Sequence, residues 1–172
     1  MADQATINMY IASVPMFSGT LKNLAAFAAR GEANAKDRGI DPQVFLGGRL
    51  APDMHPFARQ IQIATDNAKG AACRLAGREI PSWADEEKTF EELQARIGKT
   101  RDLLKTFKPE EFAGAESRPI ILKLRAGEIK FDGIGYLSRF ALPNFYFHVT
   151  TAYGILRHLG VPLGKPDFLG NR

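Results

Sequence analysis

The stretch Asp132–Gly160, DGIGYLSRFALPNFYFHVTTAYGILRHLG, limits what this chain can fold into more than any other. Helical steps from Tyr136 reach Phe140, Asn144, His148, Thr151 and Ile155 within one narrow stripe. The segment therefore reads as a long last helix whose inner face sets an amide and an imidazole among aromatic rings. Such a face is stable only when other helices cover it. Pro143 lacks an N–H, which predicts a kink that frees a carbonyl near Asn144 and His148.

The covering helices are legible upstream. Val14, Phe17, Leu21, Leu24 and Ala28 recur at three- and four-residue steps, predicting a first helix over Gln4–Arg38, with Pro15 kinking it or loosening its first turn. A connector follows over Ile40–Pro52, with a short helical turn at Pro42–Leu46 and a break at Gly47-Gly48. Asp53 suits the N-cap of a second helix running to Ala76, with the stripe Phe57, Ile61, Ala64, Ala68, Ala71 and Leu75. Its alanines leave room for a bulky partner face, such as that of the last helix. Thr89 and Glu92 form a capping-box pair, and Phe90, Leu93, Ile97, Thr100 and Leu104 carry a third helix to Thr106.

Between the third and last helices the period changes from helical to alternating. Ile120, Leu122 and Leu124 alternate with Ile121, Lys123 and Arg125, and Ile129 and Phe131 alternate with Glu128 and Lys130. With Ala126-Gly127 between the halves, this predicts a small β-hairpin lying against the helices, because an isolated hairpin is marginal in water. Pro109–Phe112 reads as one short turn, and Val161–Arg172 as a Gly/Pro-rich tail. The fold class expected is all-α, a four-helix bundle in one domain over residues 1–172 with a small hairpin between helices three and four.

Composition removes several functions. With 45% hydrophobic and 24% charged residues the chain is an ordinary globular one, and no run is apolar for long enough to span a membrane. Its formal charge of +4 comes from scattered Lys and Arg interleaved with acids, not from a phosphate-tracking stripe, so nucleic acid is not an expected partner. The opening MADQATINMY lacks the basic-then-apolar order of a secretory signal, and the lone Cys73 cannot form an internal disulfide, so a cytoplasmic location is expected. Phe140, Phe145, Tyr146, Phe147 and Tyr153 ring the last helix on more than one side. That excess predicts a second surface for it, either the hairpin or another copy of the chain in a homodimer.

The chain resembles the DinB/YfiT-like superfamily of four-helix bundles, in a branch known only as a bacterial domain of unknown function. The residues that carry the resemblance are Tyr10–Pro15 (YIASVP), Arg49–Met54 (RLAPDM), Ala58–Gln62 (ARQIQ) and Leu142–Lys165 (LPNFYFHVTTAYGILRHLGVPLGK). The resemblance implies a DinB-like bundle. In that superfamily a divalent metal, commonly nickel or zinc, is often held by three histidines, one on helix two and two on helix four, four residues apart. Some members are thiol-dependent transferases using a low-molecular-weight thiol. Registered on the ending Leu156–Gly160, His148 stands on one ligand position and Asn144 on the other, while the helix-two position falls near Ile63, with Gln60 one turn before it.

This chain thus keeps one of the family's histidines, His148, as a candidate metal ligand, and the metal site is expected to be degenerate. Amide oxygens bind nickel or zinc far more weakly than imidazole does. Two functions stay open: a cleft at Gln60, Asn144 and His148 that binds a small molecule, or a metal- or thiol-dependent transferase or hydrolase using His148. The plainer reading of His148 is a buried imidazole hydrogen-bonded to Gln60, and that of Asn144 a side chain satisfying backbone groups at the kink. His158 suits the C-terminal end of the helix dipole, His55 is expected in the exposed first turn of helix two, and Cys73 among alanines reads as buried and inert.

Overall fold

A computed structural model of the chain describes residues 7–124 and 127–170. In chain order, α1 (Val14–Asp37) is followed by the short α2 (Pro42–Leu46), by α3 (Phe57–Ala76) and by α4 (Phe90–Lys105). Two 3₁₀ turns, Pro109–Phe112 and Ala115–Ser117, lead into an antiparallel hairpin of β1 (Ile120–Leu124) and β2 (Gly127–Phe131). The chain then winds through α5 (Gly133–Tyr136), a π-helical turn (Leu137–Ala141) and α6 (Leu142–His158), and α7 (Lys165–Leu169) follows.

The expected helical bundle with a late hairpin is the architecture found. The apolar stripes of α1, α3, α4 and α6 meet in a core that buries Phe17, Leu21, Leu24, Ile61, Leu93 and Phe145. α3 is the shared element, packing on α4 along one side and α6 along the other, and α1 closes the bundle against α4. Buried Ala64, Ala68 and Ala71 keep α3 slim enough to be covered from both sides. Among the described residues no helix is long and apolar enough to cross a membrane.

Local chemistry explains where the elements begin. Thr89 Oγ1 accepts from the Glu92 N–H, and Glu92 Oε2 accepts from the Thr89 N–H, both at 3.1 Å, which completes the capping box before α4. α1 starts at Val14, later than the sequence pattern suggests, because Pro15 sits in its first turn, where a missing N–H costs nothing. The Gln4–Thr6 part of the expected helix lies outside the described residues. α3 begins after Pro56, so Asp53 is not its N-cap, and His55 precedes the helix and is exposed.

The hairpin register pairs Ile120 with Phe131 and Leu122 with Ile129. Ile120 and Leu122 are buried against the helices, as alternation predicts. Gly127 belongs to β2, opposite Leu124, and is not part of the turn, while Ala126 lies outside the described residues. After the hairpin, the Gly133 backbone lies so close to the Ala115 carbonyl that a Cβ would stand 1.7 Å from its oxygen.

One expectation about the C-terminal region is corrected. The interruption is not a proline kink but the π turn that ends just before Pro143. The residue that would break an α-helical ladder therefore falls in the first turn of α6, where the ladder restarts. The Gly/Pro-rich tail carries the short α7, which docks on α1. There Arg30 pairs with Asp167 and with the Pro162 carbonyl, and Asn23 Nδ2 donates to the Phe168 carbonyl at 3.1 Å.

Candidate functional site

α3 and α6 run beside each other and are joined by two polar rungs. In the first, Gln60 Nε2 donates to the His55 carbonyl at 2.9 Å, which turns Oε1 towards the histidine ring. His148 Nδ1 lies 2.7 Å from that oxygen, so Nδ1 carries the proton and Nε2 keeps its lone pair. His148 is 8% exposed. Burial, aided by the nearby charges of His55 and Arg59, pushes its pKa down to about 4, so the ring is neutral at pH 7.

The second rung is Asn144 Nδ2 donating to Asn67 Oδ1 at 3.0 Å. The plainer reading of His148 is therefore met, but the one for Asn144 is not. Its amide bonds a side chain across the helix interface, not the backbone beside Pro143. Of the three residues singled out in the sequence, Gln60 and His148 meet, while Asn144 stands one helical turn away with a partner of its own.

Asn144 opens onto a cleft of about 290 Å3 between α3 and the α5–α6 segment. Ile63, Asn67 and Arg74 form one wall, Tyr136, Phe140 and Asn144 the other, and Leu122 and Lys123 of β1 close the end. The π turn carries Tyr136 and Phe140 onto the wall that Asn144 continues. The two rings stack at 6.0 Å with planes 20° apart. Arg74 Nη1 donates to the Tyr136 hydroxyl at 3.2 Å. Asn67 Nδ2 is buried and has no acceptor among the described residues. Sequence reasoning missed Asn67 and Arg74, whose partners sit on elements far away in the chain.

As a donor set for nickel or zinc these residues do not fit. Among the described residues no group of three His, Cys, Asp or Glu side chains is placed to hold a metal ion. Gln60 Oε1 is committed to His148, Asn144 to Asn67, and apolar Ile63 holds the place the resemblance assigns to a helix-two ligand. The other candidates behave as expected. His158 is exposed at the end of α6, and Cys73 is buried, its thiol pKa raised by burial.

On a neighbouring face of α3 a second polar cluster forms around Arg96 of α4, whose side chain is 2% exposed. Nη1 donates to the Ala84 carbonyl (2.8 Å) and to Glu87 (2.9 Å), and Nε donates to Thr65 Oγ1 at 2.8 Å. Nη2 lies 2.9 Å from Asp66 and 2.8 Å from Asp85. Burial works against the charge, but the Glu87 hydrogen bond and the charges of Asp66, Glu87 and Asp85 outweigh it and hold the guanidinium pKa above its usual value. A signal was available in the sequence, since Arg96 follows Leu93 by three residues on the apolar stripe of its helix.

The comparisons agree with this fold. The family described as a domain of unknown function, DUF1993, matches residues 9–169. A crystal structure of a DinB family member protein from Shewanella denitrificans is 40% identical and superposes with a TM-score of 0.89, over 95% of this chain and 93% of that one. No protein with a curated description matches the chain.

Proposed function

The chain belongs to the DUF1993 family, with a DinB-like fold, and from that premise we propose that it is a binding protein whose α3–α6 cleft accepts a small molecule. The observation that carries this reading is the cleft itself, where the amide of Asn67 offers a buried hydrogen to no acceptor. A buried donor left unpaired costs about 1–3 kcal/mol, which an acceptor on a ligand would recover. Asn144 contacts the ligand. Gln60 and His148 complete the site by holding α6 against α3 one turn away.

A transferase or hydrolase acting through His148 draws less support. With a pKa of about 4 its imidazole is a weak base at neutral pH, and its Nδ1 proton is committed to Gln60. A nickel or zinc cofactor, like a thiol co-substrate, rests on the family resemblance, and the donor set here argues against a tightly held ion. Self-association rests on Phe147, which is 56% exposed. The other rings on the second side of α6 find partners within the chain, Phe140 with Phe131, and Tyr153 with Phe27 and Phe168.

A neutral fragment panel screened against isotope-labelled protein tests the cleft. Hits should shift the amide resonances of Ile63, Asn67 and Asn144 and be lost in Asn144→Leu. A panel that leaves those resonances in place sinks the reading. Metal analysis of untagged protein tests the alternative, because stoichiometric nickel or zinc that disappears in His148→Ala would restore it. Light scattering of wild type and Phe147→Glu tests the homodimer.

A further inference from the structure

The cleft is rich in donors and cations and poor in acceptors. Arg74 is half-buried and makes no ion pair with a carboxylate among the described residues. Its guanidinium is held in place by its surroundings. It folds back over Gly70, where a Cβ would stand 2.6 Å from Nη1. It also lies over the Tyr136 ring, with Cζ 5.8 Å from the centroid, and bonds the Tyr136 hydroxyl through Nη1. Nη2 and Nε make no hydrogen bond among the described residues.

The remaining groups point the same way. The Tyr136 hydroxyl accepts from Arg74, so its own hydrogen is free to donate, and burial keeps that hydrogen bound by raising the pKa. Asn67 Nδ2 is a second unclaimed donor. Lys123 adds a cation from β1 and makes no ion pair among the described residues. The negative group at the cleft, Asp66, is engaged by Lys69 at 2.7 Å and Arg96 at 2.9 Å, and Arg59 is paired with Asp85. Ile63 and Phe140 supply an apolar surface beside these donors.

We propose that the cleft binds a small organic acid, with its oxyanion held by Arg74, Lys123, Asn67 and the Tyr136 hydroxyl and its apolar body lying on Phe140 and Ile63. Arginine presented edge-on with free N–H groups is the side chain best matched to a carboxylate or phosphate. At about 290 Å3 the space suits a compact acid, smaller than a nucleotide. The inference rests on the cleft being a binding site.

The test titrates benzoate, phenyl phosphate and the neutral isostere benzamide into labelled full-length protein. Benzoate or phenyl phosphate should bind at least tenfold more tightly than benzamide, and the stronger of the two identifies the oxyanion. Arg74→Gln should weaken that binding about tenfold or more and Lys123→Gln a few-fold, while Lys105→Gln, an exposed residue paired with Asp102, should leave it unchanged. Gly70→Ala guards against a folding artefact. Its Cβ meets no atoms within 4 Å except those of Arg74, so it should fold at least as well as wild type and still lose anion affinity.

Benzamide binding as tightly as benzoate would overturn the anion assignment while leaving the cleft in use, as would anions bound equally well by Arg74→Gln. If none of the three probes binds, the anion assignment falls. If the neutral panel fails as well, so does the cleft reading.

Discussion

Arg74 lies on α3 and Arg96 of α4 packs against a neighbouring face of that helix, and their surroundings differ. Arg96 is enclosed by Asp66, Asp85 and Glu87, with Thr65 accepting from its Nε and the Ala84 carbonyl from its Nη1. Arg74 is positioned with comparable care by Gly70 and Tyr136, yet it meets no carboxylate among the described residues. A buried charge enclosed by counter-charges fixes the fold, whereas a positioned charge left without one is poised for something outside the chain. The network around Arg96 ties the loop between α3 and α4 to both helices. The cleft around Arg74 ties down only itself.

The most severe way to break this contrast is Arg96→Leu, which removes the buried guanidinium that three carboxylates share. It should cost about 3 kcal/mol or more in a urea unfolding series. A loss within experimental error would mean that the two arginines are alike.

Next comes acid. The pKa of His148 is about 4 in the fold against 6.5 unfolded, so between those values the unfolded chain binds a proton that the folded chain refuses. Stability from this group is full above pH 6.5 and falls as the pH drops to 4, by on the order of 3 kcal/mol. Asp85 and Glu87, whose pKa values are held down against burial by Arg59 and Arg96, lose their share only at lower pH. His148→Leu should therefore cost about 1–2 kcal/mol at pH 7, by orphaning Gln60 Oε1, and flatten the slope between pH 6.5 and 4. Melting temperatures across that range check both.

Arg74→Gln sharpens the comparison from the other side. It should change stability by less than about 1 kcal/mol, since the residue is half-buried and gives up one neutral partner. Calorimetry that finds a loss as large as that of Arg96→Leu would make Arg74 structural. The smallest effect, and of opposite sign, belongs to Gly70→Ala. Removing a mid-helix glycine should add up to about 1 kcal/mol, visible as a raised melting temperature.

What could be read from the sequence was what depends on neighbours in the chain. The Thr89–Glu92 cap, the alternation through Ile120 and Leu122 and the helical stripes are local patterns, and they survive into the structure. The Gln60–His148 pair was legible because both residues fall on apolar stripes that have to face each other. The partner of Asn144 was not, because choosing Asn67 over the backbone depends on how far α6 has turned about its axis, and the π turn sets that angle. Arg74 was hidden for a different reason. Gly70 one turn before it looks like a weak spot in an alanine-rich helix until the guanidinium is seen lying over it. Arg96 could have been noticed, being a charge on a buried stripe with Asp85 and Glu87 close by in sequence.

The wide turn at Leu137–Ala141 works as a phase shifter. Wound as regular α-helix, the same five residues would swing everything downstream by roughly the 100° of one residue. His148 would leave the seam it shares with Gln60, and the ring of Phe147 would be driven towards the bundle in its place. The wide winding of that turn is therefore what keeps the two rungs aligned. Tightening it to α-helix at constant length would scramble the cleft while sparing every residue that lines it.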